Sequence, residues 1–264
     1  MYTLLDHTGY IDQFKRYRLK LFSKIQQKLG WDAEPNENPL FAMLRPIVLN
    51  IVGKSGDESV VKEAQKRFER HLNGDLIDPN IRGTVYALVA RFGNEQTQEQ
   101  LKKLYLSAEM TEEKVRVLRA MGQTIDPNLI QKALEFVFET EHVRMQDSTA
   151  GLSGCTSSRI GRELSWKYLQ NNWSKLLQRF GDKSCYLIYF VEVKFGLKQR
   201  FYLVCLFCRL LWIVSLMTRL RMKFKHFSNR FIHRSFHELL NKLSKQFVCV
   251  VKYFNVIQKL LKII

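Results

Sequence analysis

The chain has 264 residues, of which 46% are hydrophobic and 25% are charged, so its length fits one or two globular domains. These proportions exclude a mainly disordered or fibrous chain. The 42 lysines and arginines exceed the 25 aspartates and glutamates and give a net charge of +17, which is typical of proteins that bind anionic partners such as nucleic acid or membranes.

The excess of positive charge is confined to the end of the chain. Residues 1–182 hold 26 basic and 23 acidic residues, whereas residues 183–264 hold 16 and 2. All five prolines lie at or before Pro127, and no alanine follows Ala150. The composition therefore predicts a domain at residues 1–182 and a basic, phenylalanine-rich tail at residues 183–264.

The cysteines indicate a reducing compartment. Their number, five, is odd, and four of them lie in the tail without the regular spacing of a disulfide framework. Residues 1–14 lack the basic start and the apolar core of a secretory signal. We therefore expect an intracellular, cytoplasmic protein.

The first element in chain order is an amphipathic helix that begins near Tyr10. From Phe14 to Leu29 its apolar residues recur every three or four positions, and the other positions are mainly lysine and glutamine. Gly30 stands where a helix C-cap is expected. The polar, proline-containing stretch 32–39 predicts a loop before a second helix at 40–52.

Later helices have recognisable starts at Asp78-Pro79-Asn80 and at Asp126-Pro127-Asn128. In each, the aspartate can accept hydrogen bonds from backbone donors while proline occupies the first turn. Between them the pattern predicts helices at 96–106 and 111–121, the second with Thr111 as its cap.

The spacing of these elements predicts an all-α fold. The two aspartate-proline starts lie 48 residues apart, close to the period of roughly 40 to 47 residues of HEAT and armadillo repeats. We therefore expect a curved stack of antiparallel helices, with a compact bundle as the alternative. The Ser-, Thr- and Gly-rich stretch 147–158 predicts a loop, either a mobile edge or a connector.

Six segments of the chain, in order, carry a resemblance to a known family. They are KLFSKIQQKLGWD (20–32), LRPIVL (44–49), EAQKRFERHLNG (63–74), IRGTVYALVARFGNEQ and its continuation (81–122), DPNLIQKALEFVFETEHVRMQD (126–147) and SSRIGRELSWKYLQNNWSKLLQRFG (157–181). These segments resemble the carboxy-terminal helical domain of the zinc aminopeptidases, a family that includes puromycin-sensitive, glutamyl and endoplasmic-reticulum members. The resemblance covers residues 1–181 and is closest to the puromycin-sensitive member.

The resemblance implies a HEAT-like domain that closes over a separate catalytic domain, encloses the active-site cavity and contacts peptide substrates. Its implied partners are the peptide and that catalytic domain, which holds the zinc. Catalysis in the family needs HExxH, a distant glutamate ligand and a GAMEN-type loop. The sequence has neither HExxH nor GAMEN, so we expect no cofactor in this chain and no hydrolysis by it alone.

The nearest string to a zinc motif is His237-Glu238-Leu239-Leu240-Asn241 in the tail. Its fifth position is asparagine, a poor zinc ligand, and the other histidines have no ligand spacing either. We therefore predict no metal site and expect those histidines to be solvated or at the edge of the core.

Four arginines are candidates for contacts with a peptide, because a guanidinium donates to a carboxylate in a planar fork. Each pair is three residues apart and can share one helix face. The candidates are Arg116 with Arg119, and Arg159 with Arg162. The alternative is surface ion pairing of little energetic value with Glu112, Glu113 or Glu163.

Four aromatic residues in the predicted helices have two interpretations. They can form a platform on which a peptide stacks, or they can fill the seams between stacked helices, which their helical spacing favours. These residues are Trp31, Trp166, Tyr168 and Trp173.

The tail has three interpretations. Residues 201–217 are apolar but contain Arg209, which makes them marginal as a membrane span. Residues 219–234 interleave phenylalanine with arginine and lysine, a pattern suited to anionic lipid or nucleic acid. The tail also lacks alanine and proline, which are specified by GC-rich codons, and this predicts that it is translated AT-rich intron or out-of-frame sequence. The CxxC at 205–208 has no second pair of cysteines, so we predict no zinc or redox site there.

Two hypotheses follow from the sequence. The first is the cavity-enclosing carboxy-terminal domain of a zinc metalloaminopeptidase, which removes amino-terminal residues from peptides. The second is a non-catalytic helical-repeat binding module whose basic tail contacts membrane or nucleic acid.

Overall fold

A computed structural model of the protein describes residues 8–180. These residues form ten α-helices and no strand, which confirms the all-α prediction. The helices are α1 (Ile11–Leu29), α2 (Pro39–Lys54), α3 (Glu58–Leu72), α4 (Pro79–Phe92), α5 (Glu95–Ser107), α6 (Thr111–Met121), α7 (Pro127–Glu139), α8 (Ser148–Cys155), α9 (Arg159–Asn171) and α10 (Trp173–Phe180).

The helices form a two-layer stack of pairs. In one layer α2 packs on α4, α4 on α6, and α6 on α8. The odd-numbered helices form the other layer. Each of them packs on the even-numbered helix that follows it in the chain, α1 on α2, α3 on α4, α5 on α6 and α7 on α8. Each pair therefore buries its apolar faces mainly against its neighbours along the stack, which is the arrangement of HEAT-like repeats.

The centre of the stack is α4. This helix packs against α2, α3, α5 and α6, and eight of its fourteen residues are buried. A helix that is apolar on every side is stable in water only if other elements cover all of its faces. The buried residues of α4 are Ile81, Thr84, Val85, Tyr86, Ala87, Leu88, Val89 and Ala90.

The helix ends follow the predicted capping residues. Asp78 accepts a hydrogen bond from the backbone N–H of Asn80 at 2.7 Å, and Asp126 accepts one from Asn128 at 2.8 Å. Gly30 ends α1 with a positive φ of 57°, a conformation that glycine adopts without steric cost. These predicted starts and this predicted end are confirmed.

The cap at Asp126 offers a direct test of helix energetics. We expect Asp126→Ala to lower the free energy of unfolding by about 1 kcal/mol, because the first turn of α7 loses its side-chain acceptor. Urea unfolding measures the change. Asn128→Ala is the matched control, since that exposed side chain lies in the same turn without a capping role, and an equal loss in both variants would contradict the capping argument.

Two local predictions are wrong. Thr111 is the first residue of α6 rather than its cap, and the cap position is held by Met110, which makes no side-chain capping bond. The predicted loop at 147–158 contains the buried helix α8. Its glycines signal close packing instead of a turn, because a Cβ at Gly154 would overlap the backbone carbonyl oxygen of Arg119.

The predictions about the tail concern residues that the structure does not describe. The chain divides into two compact units, residues 1–196 and 197–264, while the boundary after residue 182 stays a prediction. The apolar stretch 201–217, the basic run 219–234 and the CxxC at 205–208 all lie outside the described residues. Within residues 8–180 no helix combines the length and the apolar character that crossing a membrane requires.

Candidate functional site

The candidate arginine with the most structured surroundings is Arg116 on α6. Its NH1 group forms an ion pair with Glu113, one turn earlier on the same helix, and the Arg116 side chain is 28% exposed. The side chain lies against Gly83 on α4, where a Cβ would be 3.4 Å from Cγ of Arg116, an ordinary contact distance. Packing against α4 and the carboxylate of Glu113 thus hold the guanidinium in place.

Glu113 is the centre of a polar cluster that joins three helices. Tyr86 of α4 donates its hydroxyl to one carboxylate oxygen of Glu113 at 2.7 Å. Arg82 of α4 and Arg116 both pair with the other oxygen, Arg82 at 3.3 Å. The Nε2 atom of His71, at the end of α3, lies 2.8 Å from the hydroxyl oxygen of Tyr86. We call these five residues the Glu113 cluster.

Hydrogen-bond counting assigns the proton on His71. Tyr86 has a single hydroxyl hydrogen, which it donates to the carboxylate of Glu113. The short contact between Nε2 and the Tyr86 oxygen is therefore a hydrogen bond only if Nε2 carries a proton and donates it. The neutral His71 ring is consequently the Nε2–H tautomer.

Burial and charge shift the titration of this cluster. Burial works against ionisation of Glu113, but the hydrogen bond from Tyr86 and the charges of Arg116 and Arg82 outweigh it and lower the pKa of Glu113. Burial, followed by the hydrogen bond to Glu113, raises the pKa of Tyr86. Burial, followed by the charge of Arg82, lowers the pKa of His71.

The lowered pKa of His71 predicts a pH dependence of stability. Below the ordinary value of 6.5 the unfolded chain takes up a proton at this residue more readily than the folded chain, so protonation favours unfolding until the pH reaches the folded pKa. We expect His71→Gln to have a lower free energy of unfolding than wild type near neutral pH. The difference in free energy of unfolding between the two proteins should become smaller as the pH falls from 7.5 towards 5. Urea unfolding across that range measures it, and a constant or widening difference would contradict the assignment.

The other three candidate arginines have different surroundings. Arg119, in the last turn of α6, is exposed and forms no ion pair with the described residues. Arg159 is also exposed and pairs with Glu163 through Nε at 3.0 Å. Arg162 is only 2% exposed and lies in the interior of the stack. The structure therefore places Arg116 and Arg119 together on α6. Arg159 and Arg162 also share a helix, α9, but Arg159 is exposed and Arg162 is buried.

The four aromatic residues pack against the core. Trp31, Trp166 and Trp173 are partly buried against it. Tyr168 is 9% exposed, donates its hydroxyl to Glu139 at 2.9 Å and stacks on Phe138 with ring centroids 5.7 Å apart. These contacts agree with the packing interpretation of the aromatic residues.

Two surface cavities lie away from the Glu113 cluster. One, of about 540 Å³, lies at the starts of α5 and α7 and is lined by polar residues, among them Glu95 and Lys132, which form an ion pair with each other. The second, of about 490 Å³, lies between α7 and the last two helices and is lined by Glu139, Tyr168 and Arg179, among others. None of the four candidate arginines lines either cavity.

The described residues contain no cluster of histidine, cysteine, aspartate and glutamate side chains able to hold a metal ion. Cys155 is fully buried, and burial raises the pKa of its thiol to about 12, so it stays protonated at neutral pH. His71 sits at the edge of the core, as expected from the sequence.

Sequence reasoning named Arg116 as a candidate and Glu113 as its alternative ion-pair partner, and the structure shows that ion pair, but the other members of the Glu113 cluster were missed. Arg82 and Tyr86 lie on α4, whose mainly apolar sequence predicts only a buried helix. No periodicity in the sequence relates them to Glu113 or to His71. One available signal was that a tyrosine in a fully buried helix needs a polar partner for its hydroxyl. The identity of that partner depends on how α3, α4 and α6 pack.

Comparison with known proteins places this architecture in a family. The family model of the ERAP1-like C-terminal domain matches residues 1–197. Aminopeptidase M1 of Arabidopsis thaliana is 36% identical over 174 residues, which are 64% of this chain and 20% of that protein. Aminopeptidase M1-A of Oryza sativa is 29% identical over 69% of the chain and 21% of its own length. Puromycin-sensitive aminopeptidase of Caenorhabditis elegans is 26% identical over 70% of the chain and 20% of its own length.

The matched region thus spans only about a fifth of these relatives. The extent of the family match, which includes every described helix, nevertheless decides the classification. The chain belongs to the aminopeptidase M1 family, as its ERAP1-like C-terminal domain.

Proposed function

We propose that this chain encloses the substrate cavity of a zinc metalloaminopeptidase that removes amino-terminal residues from peptides. In this role it binds peptide and contacts a catalytic domain that carries the zinc. Because the sequence has neither HExxH nor GAMEN, hydrolysis requires that second domain. We assign the protein to the cytoplasm because its cysteine pattern indicates a reducing compartment.

The single observation that carries the proposal is the family match across all ten described helices. Arg116 and Arg119 are the residues we assign to peptide contact. Among the described residues, NH1 of Arg116 bonds Glu113 and its other nitrogens have no hydrogen-bond acceptor, while Arg119 is exposed without an ion pair. Both therefore have donors available for a peptide carboxylate or carbonyl.

A chimeric enzyme tests the proposal. Residues 1–197 replace the matched fifth of Arabidopsis thaliana aminopeptidase M1, and hydrolysis is measured on an aminoacyl-coumarin amide and on a series of longer peptides. We expect the chimera to hydrolyse both. The double substitution Arg116→Ala with Arg119→Ala should raise the KM for the longer peptides about tenfold, equivalent to roughly 1.4 kcal/mol, and leave the small amide unchanged.

Arg159→Ala is the matched control, because Arg159 is an exposed arginine that already pairs with Glu163. A folded chimera that hydrolyses neither substrate would contradict the proposed role of the domain. If the substitutions at Arg116 and Arg119 left the KM of the chimera for long peptides unchanged, the assignment of these two residues would be contradicted, but the proposed role of the domain would not.

A further inference from the structure

The cavity of about 490 Å³ between the end of α7 and the last two helices is lined by charges of both signs. Its volume is within the range of small-molecule sites, roughly 300 to 1,000 Å³. Within residues 8–180, none of its four charged side chains forms an ion pair with another residue. They are Glu139 and Glu141 from the end of α7, and Lys175 and Arg179 from α10.

The positive charges of the cavity share one face of α10. Lys175 and Arg179 are four residues apart, so their side chains are neighbours on the helix surface. Both terminal nitrogens of Arg179 donate to backbone carbonyl groups at and after the end of α7, and none of these bonds reaches a carboxylate. Like charges at this spacing destabilise a helix, and an anion bound to both would remove that repulsion.

The negative charges lie at the end of α7. Glu139 is the last residue of that helix, at the end of the helix dipole where cations are favoured and anions are not. One carboxylate oxygen of Glu139 accepts the hydroxyl of Tyr168 at 2.9 Å, which orients the group and leaves its second oxygen available. Glu141 follows after Thr140 and is exposed. An ammonium group bound here would neutralise this excess of negative charge.

The two sides of the cavity therefore show the same departure from ordinary charge placement. Each gathers like charges at a position that lowers stability, and no ion pair joins the sides within the part of the chain that the structure describes. Local departures of this kind are expected at functional sites. The lining also has an apolar part, formed by Leu176 and by the stacked rings of Phe138 and Tyr168.

We propose that this cavity binds a zwitterion with an apolar side chain, either a free amino acid or a short peptide. Its ammonium pairs with Glu139 and Glu141, and its carboxylate pairs with Lys175 and with Nε of Arg179. Its side chain lies against Tyr168. The identification of this ligand as a product of aminopeptidase action rests on the proposed function; the binding chemistry does not.

Three matched probes test the site on the complete 264-residue chain. They are para-fluoro-L-phenylalanine, para-fluorophenethylamine, which lacks the carboxylate, and para-fluorophenylpropionate, which lacks the ammonium. Fluorine NMR titration measures the affinity of each. We expect the amino acid to bind about tenfold more tightly than either analogue, because each analogue loses one of the two charge pairs. This preference should weaken with added salt.

Single substitutions separate the two charge pairs. Glu139→Gln keeps an acceptor for the Tyr168 hydroxyl but removes the charge, so it should weaken amino acid binding about tenfold and leave binding of the propionate unchanged. Lys175→Met should weaken amino acid binding to a similar extent and leave binding of the amine unchanged. Glu109→Gln and Lys103→Met are the matched controls at exposed residues outside the cavity, and both should bind as wild type does. Circular dichroism verifies that each variant is folded.

A dipeptide distinguishes the two sources of the zwitterion. In para-fluoro-L-phenylalanyl-glycine the ammonium and the carboxylate are farther apart than in the free amino acid. Tighter binding of the free amino acid would assign the cavity to released amino acids, and tighter binding of the dipeptide would assign it to short peptides. Both results support the proposed chemistry.

Three outcomes would overturn the proposal. These are the absence of binding by the amino acid and the dipeptide at millimolar concentration, equal binding of the amino acid and either analogue, and unchanged amino acid binding by Glu139→Gln or Lys175→Met. The binding assay involves no hydrolysis, so its failure is distinct from failure of the chimeric enzyme.

Discussion

Gly154→Ala should reduce the free energy of unfolding by about 3 kcal/mol, at the upper end of the usual range for overpacking, because the obstacle is backbone. A Cβ at this position would overlap the carbonyl oxygen of Arg119, and it would lie 3.0 Å from that carbonyl carbon and 3.2 Å from Cα of Gly122. The α6–α8 contact closes only if these glycines have no side chains. Such a loss is a large fraction of the roughly 5 to 15 kcal/mol that stabilises a domain.

Urea unfolding of the two proteins measures this effect. Gly9→Ala is the matched control, because no atom lies within 4 Å of a Cβ at Gly9, and its change should stay within about 0.5 kcal/mol. Equal stabilities of Gly154→Ala and wild type would show that α6 and α8 separate at little cost, contrary to the close packing described above.

Glu113→Gln should reduce the free energy of unfolding at neutral pH by about 3 kcal/mol. The substitution leaves Arg82 and Arg116 close together and partly buried without their shared carboxylate. It also replaces the charged acceptor of the Tyr86 hydroxyl with a weaker neutral one. The loss should be larger than that from any exposed ion pair of this domain, because those pairs are screened by water.

The pH dependence of this loss identifies its cause. The pKa of Glu113 is lowered in the folded chain, so the stability it contributes is present above the ordinary glutamate value of 4.5 and is lost as the pH falls through the folded pKa. Wild type and Glu113→Gln should therefore converge in acid. Glu112→Gln, at an exposed glutamate in the same turn, is the control and should match wild type throughout. If the difference in free energy of unfolding between wild type and Glu113→Gln were constant from pH 7 to pH 3, the loss of stability would come from the changed shape of the side chain and not from its charge.

Both predictions concern the contact surfaces of α6, and together they separate two kinds of stabilisation in the stack. Towards α8 the helix is held by close backbone approach at Gly122 and Gly154. Towards α4 it is held by charge and hydrogen bonds at Glu113. The proposed peptide-contact residues Arg116 and Arg119 lie on the same helix, so a variant of either surface should be checked for folding before its activity is interpreted.

The sequence by itself determined the helices whose signals are local. Aspartate followed by proline specifies a helix start because the cap and the fixed φ act within one turn, and both such starts are found at α4 and α7. Apolar spacing along the chain also specified the all-α class, and the ordered segments specified the aminopeptidase family. A local signal also misled at residues 147–158, where glycine serves helix packing in α8.

Only the tertiary structure decided which residues come together and which faces are covered. Arg82 and Tyr86 lie 31 and 27 residues before Glu113 and meet it because α4 packs on α6. His71 joins them because α3 packs on α4. In the same way, α2 and α4 both carry apolar residues on more than one side, yet within the described residues α4 is enclosed while α2 leaves Met43 and Ile47 exposed. Burial depends on the neighbours that a helix acquires in the stack, and no pattern within the helix records them.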